Sequence, residues 1–247
     1  MTGAMSRDAA RPVPTPRLVF VHGAGSTGDT WDLQRLAFPA AAAVNLPGHR
    51  GEGPGRRRIE DYAAWLRDAL DQQGRRPAVL AGHSMGGAIA LAYALAFPDD
   101  LAGIVLVATG ARLRVAPAIL NGLLADYPGT VDLILSRCLA PGADSRLAAR
   151  LRAAMLAVPA GVTVGDFRAC DAFDITARLG EIRIPALVIG GSEDQMTPPK
   201  YADDLEAHLP RARRVRIEGA GHMVHAERPR EVNEAIRGFL TEFGIRA

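Results

Sequence analysis

The segment 82–86, which reads Gly-His-Ser-Met-Gly, contains the residue best placed to act as a nucleophile. Ser84 stands between an apolar run typical of a buried strand and an apolar run typical of a helix. A serine on such a sharp strand-to-helix turn projects its hydroxyl from the edge of a sheet. Gly82 and Gly86 fit this interpretation because larger side chains would clash across the turn. The spacing therefore predicts that Ser84 attacks an electrophilic carbon.

A serine hydroxyl needs a general base and an acid that orients the base. His222 follows the last predicted strand, and Asp194 follows the strand before it. Both positions lie at the carboxyl ends of predicted parallel strands, where open α/β sheets build their sites. We therefore predict a triad of Ser84, Asp194 and His222, with His225 as a structural neighbour. Other histidines and acidic residues are interpreted as packing, surface or less favoured groups: His49, His83, His208, Asp171, Asp174 and Glu193.

Attack on a carbonyl also needs two backbone N–H donors for the developing oxyanion. Met85, directly after the nucleophile, is the first expected donor. Ala24 is the second, because it lies in the small-residue turn His-Gly-Ala-Gly at 22–25, where a backbone can approach a substrate closely. The alternative reading of that turn is a plain glycine loop. We find no pattern of metal, nucleotide or flavin binding, so we expect no cofactor and no metal.

Strands alternate with helices over most of the chain. Short apolar runs predict strands at 18–21, 41–44, 78–81, 103–107, 186–189 and 214–217. Helical spacing or continuous apolar character predicts helices at 59–73, 85–97, 199–208 and 230–243. Continuously apolar strands joined by helices indicate an α/β fold, with a mostly parallel sheet covered by helices on both faces.

This alternation stops between residues 112 and 178. Prolines there separate segments of helical spacing at 116–126, 131–139 and 146–156. We predict a helical cap over 112–178, inserted into a core formed by residues 1–111 and 179–247. Such an insertion would be mobile and would cover the site above the sheet. Trp31 and cap residues such as Leu123 and Leu135 are predicted to contact the substrate.

The composition sets limits on partners and location. The content of 23% charged residues is typical of a globular protein. The net charge is only +2, and the basic run at 56–58 has no interleaved aromatic residues of the kind found on nucleic-acid-binding surfaces. We therefore expect no nucleic-acid partner. No apolar stretch approaches the roughly 18 residues of a spanning helix, so we expect no membrane partner. Residues 1–16 read as a loose lead-in without a signal-peptide pattern, and Cys138 and Cys170 as reduced, buried thiols, which indicates a cytoplasmic protein.

Together these motifs resemble the α/β-hydrolase superfamily, within it the capped group of esterases, lactonases and carbon–carbon bond hydrolases. The matching pieces are 22–25 with Trp31, 46–49, 82–87, 191–194 with Pro198, and 221–222 with Glu227 and Pro229. The chain order of nucleophile, acid and histidine agrees with that fold. Asn45 and the loop 50–53 depart from the family pattern, and little chain precedes the first strand for the family's antiparallel opening hairpin. Ser84 excludes the dehalogenases and epoxide hydrolases of the fold, which carry aspartate there.

The predicted reaction is acyl transfer to water. The predicted partner is a small-molecule substrate, a small to medium carboxylic ester. Lactones, thioesters and the carbon–carbon bonds of β-diketones are alternatives for the same triad, as is a cofactor-free haloperoxidase-like activity. A different class of function would be a non-catalytic ligand receptor that retains the triad. The residues leave the physiological substrate and the oligomeric state open.

Overall fold

Six parallel strands form the centre of the protein. The computed structural model describes residues 17–51 and 53–245. Its strands are β1 (Arg17–Val21), β2 (Ala42–Val44), β3 (Ala78–His83), β4 (Leu101–Val107), β5 (Ala186–Gly191) and β6 (Ala212–Ile217), in the spatial order β2-β1-β3-β4-β5-β6. Every neighbouring pair is parallel, which confirms the predicted fold class. The lead-in predicted for residues 1–16, where an opening hairpin would begin, lies outside the described residues.

The helices follow the strands along the chain. They are α1 (Asp32–Ala37), α2 (Ile59–Gln72), α3 (Met85–Ala96), α4 (Pro117–Ala125), α5 (Tyr127–Cys138), α6 (Ser145–Ala157), α7 (Ala160–Ala172), α8 (Pro199–His208), α9 (Val224–Glu227) and α10 (Pro229–Glu242). Short 3-10 turns cover Gly28–Trp31, Pro98–Asp100 and Thr176–Glu181.

Helices cover both faces of the sheet because strand side chains alternate between the faces. In β1, Val19 and Val21 belong to an apolar cluster that includes residues of α2, α3 and α8. Leu18 and Phe20 belong to a second cluster with α10. All four side chains are buried, and each such burial stabilises the fold by about 1.5–3 kcal/mol.

Four helices, α4 to α7, lie in the connection between β4 and β5 and form a third apolar cluster, which also includes Met223. The first three match the predicted helices at 116–126, 131–139 and 146–156. The fourth, α7, was not located by its spacing, because Gly161, Gly165 and β-branched residues give Ala160–Ala172 a weak helical propensity. Helices α6 and α7 meet at a bend of 100°. Within the described ranges, no single helix is long and apolar enough to cross a membrane.

The parallel arrangement brings the candidate site together. The segments after β1, β3, β5 and β6 all leave the same edge of the sheet, at the carboxyl ends of the strands. Ser84 follows β3, Asp194 follows β5, and His222 follows β6. Residues far apart in the chain thus meet at one edge.

Candidate active site

Ser84 occupies a strained turn between β3 and α3. Its φ of 52° and ψ of −116° place it in the left-handed half of backbone space, which costs a non-glycine residue about 1–3 kcal/mol. Its N–H donates to the Val107 carbonyl (2.9 Å), and its carbonyl accepts from the Thr109 hydroxyl (2.7 Å). These bonds hold the turn in place, so that the Ser84 side chain borders the cleft above the sheet.

The two glycines of this turn leave no room for a side chain. A Cβ on Gly82 would lie 2.1 Å from the Gly86 carbonyl oxygen, as the clash across the turn predicted. A Cβ on Gly86 would lie 2.2 Å from the Val21 carbonyl oxygen, so that glycine is required by the neighbouring strand β1. Both glycines are therefore steric requirements of the turn.

His222 and Asp194 form a buried pair. His222 Nδ1 lies 2.9 Å from Asp194 Oδ2 and 3.1 Å from Oδ1. The same carboxylate accepts from the Met196 N–H, the Thr197 N–H and the Thr197 hydroxyl, at 2.8–2.9 Å. Because a carboxylate only accepts, Nδ1 carries the proton, and Nε2 of neutral His222 is the basic nitrogen.

The pKa of Asp194 is lowered in the folded protein. Burial raises it, but the charge of His222 and the hydrogen bonds from His222 and Thr197 lower it by more. A lowered pKa means that the carboxylate stabilises the fold above the unfolded-state value. This contribution is lost as the pH falls through the folded-state pKa.

The loop that carries His222 is tied to the helices above the sheet. The carbonyl of Cys138, at the end of α5, accepts from the His222 N–H at 2.7 Å. Glu227 accepts from the Gly221 N–H (3.1 Å) and from the Ala140 N–H (3.0 Å). The backbone of His222 is therefore positioned jointly by β6 and by the end of α5.

The predicted oxyanion donors lie on two elements beside Ser84. Met85 is the first residue of α3, where helix N–H groups have no intrahelical acceptor. Ala24 borders the same cleft as Ser84. A Cβ on the adjacent Gly23 would lie 3.4 Å from Ser84 Cβ, so this turn approaches the serine closely.

The cleft has a volume of about 870 Å³, including solvent at its mouth. Ser84 and His222 lie among its lining residues. Its apolar wall is built from Leu113, Val115, Ile134, Leu135, Leu151, Met155, Phe167, Met196 and Met223. Among the described lining residues, Arg114 is the single Arg, Lys, Asp or Glu, and it is exposed. The site thus places Ser84 and His222 at the border of a cleft whose walls are mainly apolar.

Comparison with known proteins decides the family. The sequence profile described as the alpha/beta hydrolase family matches residues 18–235. The chain belongs to the alpha/beta hydrolase family. A relative of this hydrolase, the pimeloyl-(acyl-carrier protein) methyl ester esterase of Neisseria meningitidis, is 30% identical over 237 residues, covering 87% of this chain and 91% of that protein. A solved structure of a thermophilic esterase is 35% identical, with a TM-score of 0.84, covering 93% of this chain and 91% of that one.

A further match is to part of a much longer protein. The polyketide synthase ThaQ of Burkholderia thailandensis is 32% identical over 245 residues, which cover 92% of this chain but only 12% of ThaQ. Taken with the family profile and the two esterases, the chain is an enzyme of the carboxylic ester hydrolase type, as predicted.

Two of the three substrate contacts predicted for this hydrolase are corrected by the structure. Trp31 is completely buried, with its ring stacked on Phe20 at 4.8 Å and tilted against His225 at 4.4 Å, and it does not line the cleft. Leu123 packs among the helices α4 to α7 and is not one of the residues that line the cleft. Leu135 does line it. Helical spacing identifies apolar faces, but it does not distinguish a face that meets a neighbour from one that meets a cavity.

Two other buried histidines, His83 and His225, pack beside the triad. His83 Nε2 donates to the His222 carbonyl at 3.0 Å, and its ring lies 4.4 Å from that of His225. Burial lowers the pKa of His225 to about 3 and, together with the nearby histidines, holds the pKa of His83 well below its usual range. Within the described residues, no hydrogen-bond partner reaches either ring nitrogen of His225. His222 is therefore the histidine with a carboxylate partner at the cleft.

Two further residues of the site were missed by the sequence analysis. Thr197 donates to Asp194 and lies 3.2 Å from His222 Nδ1. Asp166, on the unpredicted helix α7, is fully buried and accepts from the Gly25 N–H of the turn at 22–25 (2.9 Å). Asp166 interrupts an apolar stripe with Val162 and Cys170 at helical spacing, and a charge in such a stripe is a signal for a buried polar partner. Cys138 and Cys170 are buried, as predicted.

Proposed function

We propose that this protein hydrolyses small to medium carboxylic esters through an acyl-enzyme on Ser84. The observation that carries the proposal is the His222–Asp194 pair, joined at 2.9 Å, with Ser84 and His222 bordering one apolar cleft. Ser84 is the nucleophile, His222 the general base, and Asp194 the acid that holds the imidazole in its productive tautomer.

The reaction follows from this arrangement. Ser84 Oγ attacks the ester carbonyl carbon while Nε2 of His222 takes the hydroxyl proton. The oxyanion so formed is stabilised by the N–H groups of Met85 and Ala24. Collapse of this intermediate expels the alcohol, which receives the proton from His222, and leaves an acyl ester on Ser84. Water, deprotonated by His222, then releases the carboxylic acid and restores the enzyme.

The cleft favours an uncharged, apolar acyl group. Most of its apolar wall comes from α5, α6, α7 and the segment leading into α4, all within residues 112–178, while Met196 and Met223 of the core complete it. We propose that these residues form a cap on the core of residues 1–111 and 179–247, and that the cap sets acyl-chain preference. Burying one methylene in such a wall favours binding by about 0.8 kcal/mol.

A panel of substrates tests the proposed reaction. Steady-state kinetics with aryl esters of increasing acyl length, a lactone, a thioester and a β-diketone should give the highest kcat/KM for an ester of two to eight acyl carbons. A fluorophosphonate probe should label Ser84, identified by mass spectrometry of the labelled peptide. A higher kcat/KM for the lactone, thioester or β-diketone replaces the ester assignment with that alternative. A protein that the probe does not label, and that turns over none of the panel, supports the receptor alternative.

Leu135 lines the cleft and Leu123 does not, so replacing each of them tests the role of the cap. Leu135→Ala enlarges the cleft, so kcat/KM for a long acyl ester should change at least threefold more than that for an acetyl ester. Leu123→Ala is the matched control, because Leu123 is 3% exposed, packs in the apolar cluster of α4 to α7 and does not line the cleft. It should lower the free energy of unfolding by about 2–5 kcal/mol and leave the ratio of the two kcat/KM values unchanged. Equal proportional losses for both esters in Leu135→Ala would show that the cap does not select acyl length.

A further inference from the structure

The carboxylate of Asp166 joins four separate parts of the chain. It projects from α7 and is fully buried. Its Oδ2 accepts from the Gly25 N–H at 2.9 Å and lies 2.8 Å from His49 Nε2. Its Oδ1 accepts from the Tyr62 hydroxyl, on α2, at 2.8 Å. A side chain of the helices above the sheet thus contacts the turn at 22–25, the loop at 46–49 and the core helix α2.

His49 is hydrogen-bonded through both ring nitrogens. His49 Nδ1 lies 3.1 Å from both the Leu46 and the Pro47 carbonyl oxygens, so Nδ1 must donate. Nε2 faces Asp166 Oδ2 at 2.8 Å, so a hydrogen bond joins the two side chains. Burial lowers the pKa of His49, but the hydrogen bond and charge of Asp166 raise it by more. Both side chains of the pair are fully shielded from solvent.

A second histidine holds the other end of the same turn. His22 Nε2 accepts from the Leu46 N–H at 3.0 Å, so His22 Nδ1 carries the proton and donates to the Gly23 carbonyl at 2.9 Å. Burial, reinforced by the positive charge of His49, lowers the pKa of His22 to about 3, which keeps it neutral. In a trans peptide the Gly23 carbonyl and the Ala24 N–H point in opposite directions. Anchoring that carbonyl therefore sets the direction of the Ala24 N–H.

Ala24 is consequently held from both sides. The peptide group before it is anchored by His22, and the peptide group after it is anchored through the Gly25 N–H by Asp166. Gly25 has a φ of 58°, a conformation that glycine adopts freely, so its own backbone does little to fix the turn. Removal of the Asp166 acceptor would release the turn on the side of the cap.

We propose that Asp166 is a positioning residue for the oxyanion turn: through Gly25 it holds the Ala24 N–H in the orientation that receives the oxyanion. This proposal rests on the proposed ester hydrolysis through Ser84. The hydrogen bonds of the Asp166 side chain go to Gly25, His49 and Tyr62 and not to the triad, so its role is indirect. Seating of α7 against the core then completes the oxyanion hole, so the helices above the sheet contribute to the rate as well as to selectivity.

The test compares substitutions around the two carboxylate oxygens. Asp166→Leu keeps the branched shape but removes every acceptor, so kcat for an acetyl ester should fall about 10²–10³-fold, as for the loss of one oxyanion donor, with KM changed less than threefold. Affinity for a trifluoromethyl ketone, which forms the same oxyanion on Ser84, should fall by the same factor as kcat/KM. Asp166→Asn keeps one carbonyl oxygen for Gly25 and should recover at least tenfold in kcat relative to Asp166→Leu.

Tyr62→Phe is the matched control. It removes the hydrogen bond to Oδ1 and leaves the contact between Oδ2 and Gly25, so it should lower Tm while kcat stays within threefold of wild type. All rates are expressed per site titrated with a fluorophosphonate, so a loss of folded protein does not count as a loss of kcat.

A second variant keeps the test decisive if Asp166→Leu does not fold. The double variant Asp166→Leu/His49→Leu replaces the buried His49–Asp166 pair with apolar side chains, an exchange that is often neutral for stability. It should show the same loss of kcat and of ketone affinity. A kcat within threefold of wild type, in whichever of the two is folded, overturns the positioning role. A wild-type protein that hydrolyses none of the esters overturns the proposed function itself.

Discussion

Ser84→Ala is expected to lower kcat by roughly 10⁴–10⁶-fold while the protein stays folded, because no other group at the turn can form the acyl-enzyme. The turn itself should persist, since its bonds to Val107 and Thr109 use only the Ser84 backbone. Hydrolysis of an acetyl aryl ester measures the loss, and thermal unfolding should give a Tm within about 2 °C of wild type.

Two companion variants sharpen this result. Ser136→Ala, at an exposed serine of α5, should leave kcat unchanged and controls for serine replacement in general. Ser84→Gly should be as inactive as Ser84→Ala but more stable, because glycine tolerates the φ of 52° without strain. More than a tenth of wild-type activity in Ser84→Ala would exclude Ser84 as the nucleophile.

The sheet, and the placement of Ser84, Asp194 and His222 after three of its strands, could be predicted from the sequence because their signals are local. Each strand is a short apolar run, and a parallel sheet must place the residues after those runs at one edge. Ser84, Asp194 and His222 could therefore be grouped without knowing any distance between them. The glycine rule at the turn was also correct for Gly82, whose steric conflict lies within the turn itself.

What the sequence missed depends on contacts between distant segments. Gly86 is constrained by β1, which the local pattern around Ser84 does not reveal. The burial of Asp166 is explained by its hydrogen-bond partners on three other segments of the chain. Its helix α7 forms because packing overrides the poor helical propensity of its residues. Trp31 and Leu123 were assigned to the substrate but belong to the apolar interior. The sequence alone does not distinguish an apolar residue that contacts the substrate from one that packs in the core. The cleft forms only when several separate segments assemble, so no periodic pattern in the sequence predicts which residues line it.

The tautomer of His222 gives Asp194→Asn a predictable effect. In the wild-type protein Nδ1 donates to the Asp194 carboxylate, so Nε2 is free to accept the Ser84 proton. The Met196 and Thr197 N–H groups both donate to Asp194 Oδ1, so an asparagine would place its carbonyl oxygen there. Its amide group would then face Nδ1 and donate to it, which moves the imidazole proton to Nε2.

We therefore expect Asp194→Asn to lower kcat about 10⁴-fold with little change in KM, because the base is present but holds its proton on the wrong nitrogen. Glu193→Gln, at the exposed neighbouring carboxylate, should keep kcat within twofold and serves as the matched control.

The lowered pKa of Asp194 adds an independent readout. Its stabilising contribution exists above its ordinary value of 3.8 and vanishes in acid, so the Tm difference between wild type and Asp194→Asn should shrink as the pH is lowered towards 3. An Asp194→Asn enzyme with near wild-type kcat would remove Asp194 from the triad, and a Tm difference that does not depend on pH would show that the pKa of Asp194 is not lowered.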